Sequence, residues 1–201
     1  YIGASEGTVK ICGHDIFKEA EKAKKCVGYL PEMPPLYQEM TVREYLNFVA
    51  ELKQIPKKDR EHNLEEVLGK TKTTQVADRL IRNLSKGYKQ RVGIAQALIG
   101  MPEVIILDEP TVGLDPKQII EIRKLIRELG EEHTVILSSH ILSEISEVCD
   151  YIYIISRGQL VAEGSESQLV DKMAGKNVLN VTIKAEEEKV KSLSLIHISE
   201  P

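Results

Sequence analysis

The sequence predicts an α/β fold: a doubly wound, mainly parallel sheet with a helical subdomain inserted between its strands. Three observations carry this expectation. Residues 104–107, Val-Ile-Ile-Leu, form an unbroken apolar run, as expected of a parallel strand covered on both faces. From that run to Gly158, strand and helix patterns alternate, which implies right-handed crossovers. Between Thr41 and Gly100 the pattern is helical instead, so a block of helices interrupts the strands.

In chain order, Val9, Ile11 and the turn residue Gly13 predict a short strand, and residues 26–30 an apolar strand that ends at Pro31. Pro31, Pro34 and Pro35 then force a loop. Over residues 41–52, Val42, Tyr45, Leu46, Val49 and Leu52 fall at helical spacing, and Thr41 with Glu44 has the capping-box pattern. Charged helical stretches are expected over 57–68 and 73–81, and a further helix over 86–99. After the 104–107 strand, residues 116–129 read as a helix with Asp115 as N-cap, Pro116 at its first position and Gly130 as its stop. A second buried strand is expected over 133–138, a helix over 141–148, and a third strand over 151–155 with Arg157-Gly158 as its turn. Residues 177–190 read as a strand and a charged helix that open a further region.

Composition excludes several classes. Lys plus Arg total 27 against 31 Asp plus Glu, a net charge of -4, so no excess of positive charge draws the whole chain onto nucleic acid or anionic lipid. With 42% hydrophobic and 29% charged residues the chain has globular, not disordered, usage. No apolar run approaches the roughly 18 residues of a membrane helix, so a membrane role would come through a partner. Cys12, Cys26 and Cys149 are odd in number, well separated and never in a C-x-x-C pair. They signal neither a disulfide framework nor a zinc site, and are expected to be small buried thiols in a reducing cytosol.

In doubly wound sheets ligands sit beyond the C-terminal strand ends, and the informative residues lie there. The apolar strand runs into Asp108, Glu109 and Pro110, delivering two adjacent carboxylates to that edge. Leu84, Ser85, Lys86, Gly87 and Tyr88 open the preceding helix; Gly113, Leu114, Asp115 and Pro116 follow the strand; Ser138, Ser139 and His140 close the next one.

This ordered set resembles the nucleotide-binding subunit of ATP-binding cassette (ABC) transporters: a signature-like LSKGYKQR, a Walker B segment VIILDEP, a D-loop GLDP and a switch histidine after ILSS. The resemblance covers about residues 1–175 and implies a P-loop NTPase-type sheet with a helical subdomain near 41–100. GYLPE at residues 28–32 together with LSKGY is most similar to the ABC-2 exporter branch, which includes ATPases of gliding motility and copper-enzyme maturation. The implied cofactors are ATP and Mg²⁺. The implied partners are a membrane permease and a second nucleotide-binding subunit, in a homodimer at the cytoplasmic face of the inner membrane.

The resemblance also implies roles. Asp108 suits the metal, because Mg²⁺ prefers hard oxygen ligands and retains much of its hydration. Glu109 suits the attacking water as general base, and His140 would contact the γ-phosphate and hold Glu109 in register; its alternative is to cap the helix at Ile141. Ser85 and Gly87 stand at a helix start, where free N–H groups favour an anion, and in the family this signature meets ATP bound to the opposite subunit. For Lys86 two readings stand, charge at the γ-phosphate or a solvent-facing side chain. Asp115 is an N-cap, a cross-dimer contact, or both. Glu32 replaces the Gln that in most members senses the γ-phosphate; a carboxylate there can bind Mg²⁺ or water but is repelled by phosphate.

A phosphate-binding G-x-x-x-x-G-K-[ST] loop should precede these motifs. Gly69, Lys70 and Thr71 match its last three positions, but Leu64 replaces the first Gly and a charged helix precedes them, so the match is a decoy. The expectation is a fragment that begins after the P-loop helix and is inactive alone. Residues 176–192 would begin a C-terminal region, and 193–201, LSLIHISEP, resemble the translation of a sequencing adapter, with a native terminal strand as the alternative. Two rival functions are a non-transport ABC ATPase, ribosome- or chromosome-associated, and a binding module without turnover.

Overall fold

The computed structural model describes residues 5–174. The chain divides into two compact units, Tyr1–Ile152 and Tyr153–Pro201. The first holds a hairpin of β1 (Lys10–Ile11) and β2 (His14–Asp15), then α1 (Ala20–Lys25) and β3 (Val27–Leu30). Helices α2 (Val42–Leu52), α3 (Lys57–Lys70) and α4 (Lys86–Leu98) follow before β4 (Val104–Asp108), α5 (Pro116–Gly130), β5 (Thr134–Ser138) and α6 (Leu142–Ser146). The sheet order is β3-β4-β5, all parallel, with Val27 opposite Val104 and Asp108 opposite Ser138.

The core lies between one face of this sheet and the helices. Leu30, Ile105 and Leu107 are fully buried against Leu46 and Val49 of α2, Leu64 and Leu68 of α3, and Ile94 and Leu98 of α4, in one cluster that extends to Ile122 and Leu125 of α5. Each such side chain contributes roughly 1.5–3 kcal/mol through burial. Gly28 makes the closest approach possible: a Cβ there would overlap the carbonyl of Ala97, so only glycine lets the end of α4 lie this near to β3. Lys53 lies beside it and donates to the carbonyls of Ala97 (3.1 Å) and Ile99 (2.6 Å), satisfying the end of α4.

Several expectations are corrected. Instead of being covered on both faces, β3, β4 and β5 alternate: Tyr29, Ile106 and Ile136 point away from the helices, and Ile136 is 52% exposed. Residues 73–81 form no α-helix but two short 3-10 turns, Thr74–Val76 and Ile81–Asn83. Their carbonyls are drawn elsewhere: Ala77 and Arg79 accept from the N–H groups of Arg43 and Val42, the orphan donors at the start of α2. Gly130 lies inside α5 and Glu131 follows it in a right-handed conformation, so no glycine cap ends that helix. Gly69 and Lys70 end α3 and Thr71 caps its C-terminus, its hydroxyl donating to Val67 O at 2.8 Å. An anion cradle needs a helix start, which agrees with reading this match as a decoy.

The cysteines are not uniformly buried: Cys12 is exposed at the hairpin turn, and Cys26 and Cys149 are half-buried. Bonded to Glu103, and beside Cys26, the Cys12 thiol is pushed up to about 12.

The second unit contains β7 (Gln159–Gly164) and α7 (Glu166–Ala174), with β6 (Ile152–Ser156) beginning at the boundary. The third predicted strand, β6, pairs with β7 across the Arg157-Gly158 turn. Both turn residues have positive φ, 51° and 76°, as a type I′ hairpin turn requires. The readings of 176–192 and 193–201 lie outside the described residues.

Candidate functional site

The site begins where β4 ends. Parallel register sets Asp108 opposite Ser138, and the Ser138 hydroxyl donates to Asp108 Oδ1 at 2.6 Å; the Tyr29 hydroxyl lies 3.5 Å from Oδ2. Glu109 then leaves the strand with φ of 46°, a left-handed conformation uncommon outside glycine. Its N–H holds that turn by donating to both the carbonyl and the hydroxyl of Ser138, each at 3.2 Å.

That turn carries the Glu109 carboxylate to the next strand end, where Oε1 meets His140 Nδ1 at 2.9 Å. The Glu109 side chain is 20% exposed and that of His140 69%. Glu109 Oε2 is buried and has no protein partner. The bond to Glu109 and its negative charge raise the His140 pKa above the ordinary imidazole value, and the charges of Glu144 and Glu32 add to this. His140 does not cap the following helix, whose N-cap is Ile141 without a side-chain cap; Ser139 Oγ accepts from Ile141 N at 3.1 Å, and the ring of His140 is turned to Glu109.

A network built on the buried Thr111 and Glu144 fixes the segment just after Glu109. The Thr111 hydroxyl donates to Glu144 Oε2 at 2.5 Å, and Arg123 pairs with Glu144 at 3.4 Å and Glu147 at 2.6 Å. Sequence reasoning missed Thr111, Glu144 and the pairing of Ser138 with Asp108. The register and packing that join them bring together residues about 30 positions apart, and no local pattern signals that.

The signature-like residues lie elsewhere. Ser85 is the N-cap of α4 and accepts from Tyr88 N at 3.4 Å; Asp115 is the N-cap of α5 and accepts from Gln118 N at 2.9 Å. A cleft of about 510 Å³ between these helices is lined by Ser85, Gly87, Tyr88, Arg91, Asp115 and Gln118, among others. Gly87 is buried at its base, where a Cβ would come within 2.8 Å of Gln118. Lys86 is exposed, and its ammonium lies against Gly113, inside the space a Cβ there would fill. Thus Asp108, Glu109 and His140 come together, while Ser85, Lys86, Gly87 and Asp115 form a second group. Glu32 is exposed in the loop after β3, and its charge reaches His140.

The first group offers hard oxygen donors and no thiol or imidazole directed at a metal. Asp108, held at one oxygen by Ser138, and the unpartnered Oε2 of Glu109 fit Mg²⁺ and a water, since Mg²⁺ is bound through one or two carboxylates plus substrate phosphates and its own waters.

The ABC transporter family model matches residues 2–112. The bacitracin transport ATP-binding protein BcrA of Bacillus licheniformis is 40% identical over 164 residues, 81% of this chain and 53% of that protein. The linearmycin resistance ATP-binding protein LnrL of Bacillus subtilis is 33% identical over 197 residues, 96% of this chain and 63% of that protein. The chain thus spans between half and two thirds of these two relatives. Among solved structures, cbiO1 of Clostridium perfringens, described as part of the ABC transporter complex cbiONQ, superposes with a TM-score of 0.73 at 25% identity, covering 95% of this chain and 77% of that one. With more than half of its residues matched by the family model and the same architecture in a solved relative, the chain belongs to the ABC transporter family, within its ATP-binding domain.

Proposed function

We propose that this chain is the catalytic part of an ATP-hydrolysing subunit that drives an ABC-2 type exporter through a separate membrane permease. The observation that carries the reading is the Glu109–His140 pair, with Oε1 engaged at 2.9 Å and Oε2 buried and free. Such a carboxylate is aimed by one oxygen and available to a proton through the other. In ABC ATPases, Mg²⁺-bound ATP supplies the phosphoryl group, and the metal neutralises charge at the β- and γ-phosphates. Asp108 would hold the metal, oriented by Ser138, with Glu32 as a second carboxylate from the loop after β3. Glu109 accepts the proton of the attacking water, a contribution typically of about 10²–10⁴ in rate. His140 holds Glu109 in register and presents its second ring nitrogen to the γ-phosphate.

Ser85, Lys86 and Gly87 would meet ATP held by a second copy of the subunit, with Asp115 contributing to the same dimer contact. The N-terminus of α4 favours an anion, because its first N–H groups lack helical partners. Residues 1–175 would form the ATPase domain, and the loop at Glu32 with the helices of 41–100 would face the permease at the cytoplasmic side of the inner membrane. Among the described residues no helix is long and apolar enough to cross a membrane. Two relatives are named for bacitracin transport and linearmycin resistance, which supports an export role. The test is Glu109→Gln in the full-length ATPase: retained ATP binding with turnover lost is expected, and unchanged turnover rejects the assignment.

A further inference from the structure

The opposite edge of the sheet carries a second donor cluster, unrelated to the Asp108–Glu109 pair. Cys12 sits in the β1–β2 turn, Cys26 caps the end of α1 just before β3, and Glu103 stands just before β4. Parallel pairing of Val27 with Val104 sets Cys26 beside Glu103, and Val104 N donates to Cys26 O at 3.0 Å. The hairpin then places Cys12 over both. Cys12 and Gly13 have φ of 50° and 81°, so the turn has the left-handed backbone of a type I′ connection, with a cysteine where Asn, Asp or Gly is usual. The two sulfurs and a carboxylate oxygen lie within 4.8 Å of one another.

We propose that Cys12, Cys26 and Glu103 form a binding site for one zinc-class divalent cation, with water in the fourth position. Tetrahedral Zn²⁺ with thiolate bonds near 2.3 Å and oxygen bonds near 2.0–2.2 Å requires donor separations of roughly 3.6–3.8 Å. The observed cluster needs only a small closure to reach them. Two sulfurs select Zn²⁺ or Cd²⁺ over Mg²⁺, so the site does not compete for the metal of ATP. The rival outcome is a Cys12–Cys26 disulfide. The adjacent carboxylate opposes it, because thiol oxidation proceeds through the thiolate and a neighbouring negative charge disfavours that form. A divalent cation reverses the same repulsion and stabilises all three anions together. Bound metal would tie the hairpin to the edge of β3 and β4, at the far end of the strands from the nucleotide.

The experiment is a titration of the reduced 201-residue chain with Zn²⁺ against a chromophoric chelator, repeated with Cd²⁺ to read thiolate-to-metal absorption. One equivalent is expected for the wild type and for Cys149→Ser. Cys12→Ser and Cys26→Ser should each roughly halve the absorption band at saturation and weaken binding by about 10-fold or more, and Glu103→Gln should weaken binding while keeping the full band. Iodoacetamide labelling of Cys12 and Cys26 in the wild type should be blocked by Zn²⁺, a readout that requires no variant to fold. Binding that survives both serine substitutions, labelling unaffected by Zn²⁺, or a Cys12–Cys26 disulfide that forms equally fast with and without Zn²⁺ would each overturn the proposal.

Discussion

Replacing Glu109 by Gln preserves volume and shape, and the amide oxygen can still accept from His140. What changes is the second position: an NH₂ group, a donor, replaces the buried Oε2 that has no protein partner. A water placed there loses its proton acceptor. If Glu109 is the general base, turnover should fall by about 10²–10⁴, or about 3–5 kcal/mol in activation free energy. The buried amide N–H group is left without a protein partner, which costs about 1–3 kcal/mol in stability, while nucleotide binding, which does not rest on the proton acceptor, should survive. Steady-state phosphate release and equilibrium ATP binding on the full-length ATPase separate the two effects. A second readout needs no nucleotide. The raised pKa of His140 arises first from its bond to Glu109 and then from that residue's charge, so the imidazole titration followed by NMR should move down toward its ordinary value in the variant. The sign for stability follows: the charged pair contributes fully below the unfolded imidazole pKa of about 6.5 and is lost as pH rises through the higher folded value. Turnover near the wild-type rate would refute the base assignment, and an unmoved His140 titration would refute the pairing on which it rests.

Other outcomes test the frame. Gly28→Ala forces a methyl into the carbonyl of Ala97, a backbone atom that cannot rotate away; destabilisation near the upper end of the usual 1–3 kcal/mol for overpacking, about 3 kcal/mol, is expected in urea unfolding. Thr41→Ala removes the hydroxyl that accepts from Glu44 N at 3.2 Å and donates to the Glu44 carboxylate at 2.9 Å, and should cost about 1 kcal/mol in the same measurement. Burial lowers the pKa of Lys53 to about 8. Between pH 8 and 10 the unfolded chain therefore binds more protons than the folded one, and stability should rise with pH across that window, by up to roughly 3 kcal/mol in full. Lys53→Met should flatten the rise, and parallel slopes for the two proteins would show that Lys53 is not its source.

Local signals and long-range geometry divide the chain cleanly. The capping box at Thr41 and Glu44, Asp115 and Pro116 at the start of α5, and the apolar run ending at Asp108 were legible because each depends on residues within a few positions of one another. Order and spacing of the motifs also sufficed to name the family and to mark Glu109 and His140. Residues 73–81 misled the helical reading because their carbonyls serve α2, a tertiary demand that propensity does not contain.

By itself, then, the sequence determined most of the elements, the caps at Thr41 and Asp115 and which residues stand at the C-terminal strand ends, since periodicity and capping are properties of neighbouring residues. Only the tertiary structure decided that Ser138 holds Asp108, that His140 takes one oxygen of Glu109 and leaves the other free, and that Lys86 lies on Gly113. It also gathered two distant cysteines and a glutamate at one corner of the sheet. The physical reason is strand register: parallel pairing sets residues about 30 to 80 positions apart side by side, and the hydrogen bonds that fix it are made by a backbone whose pattern is the same for every sequence.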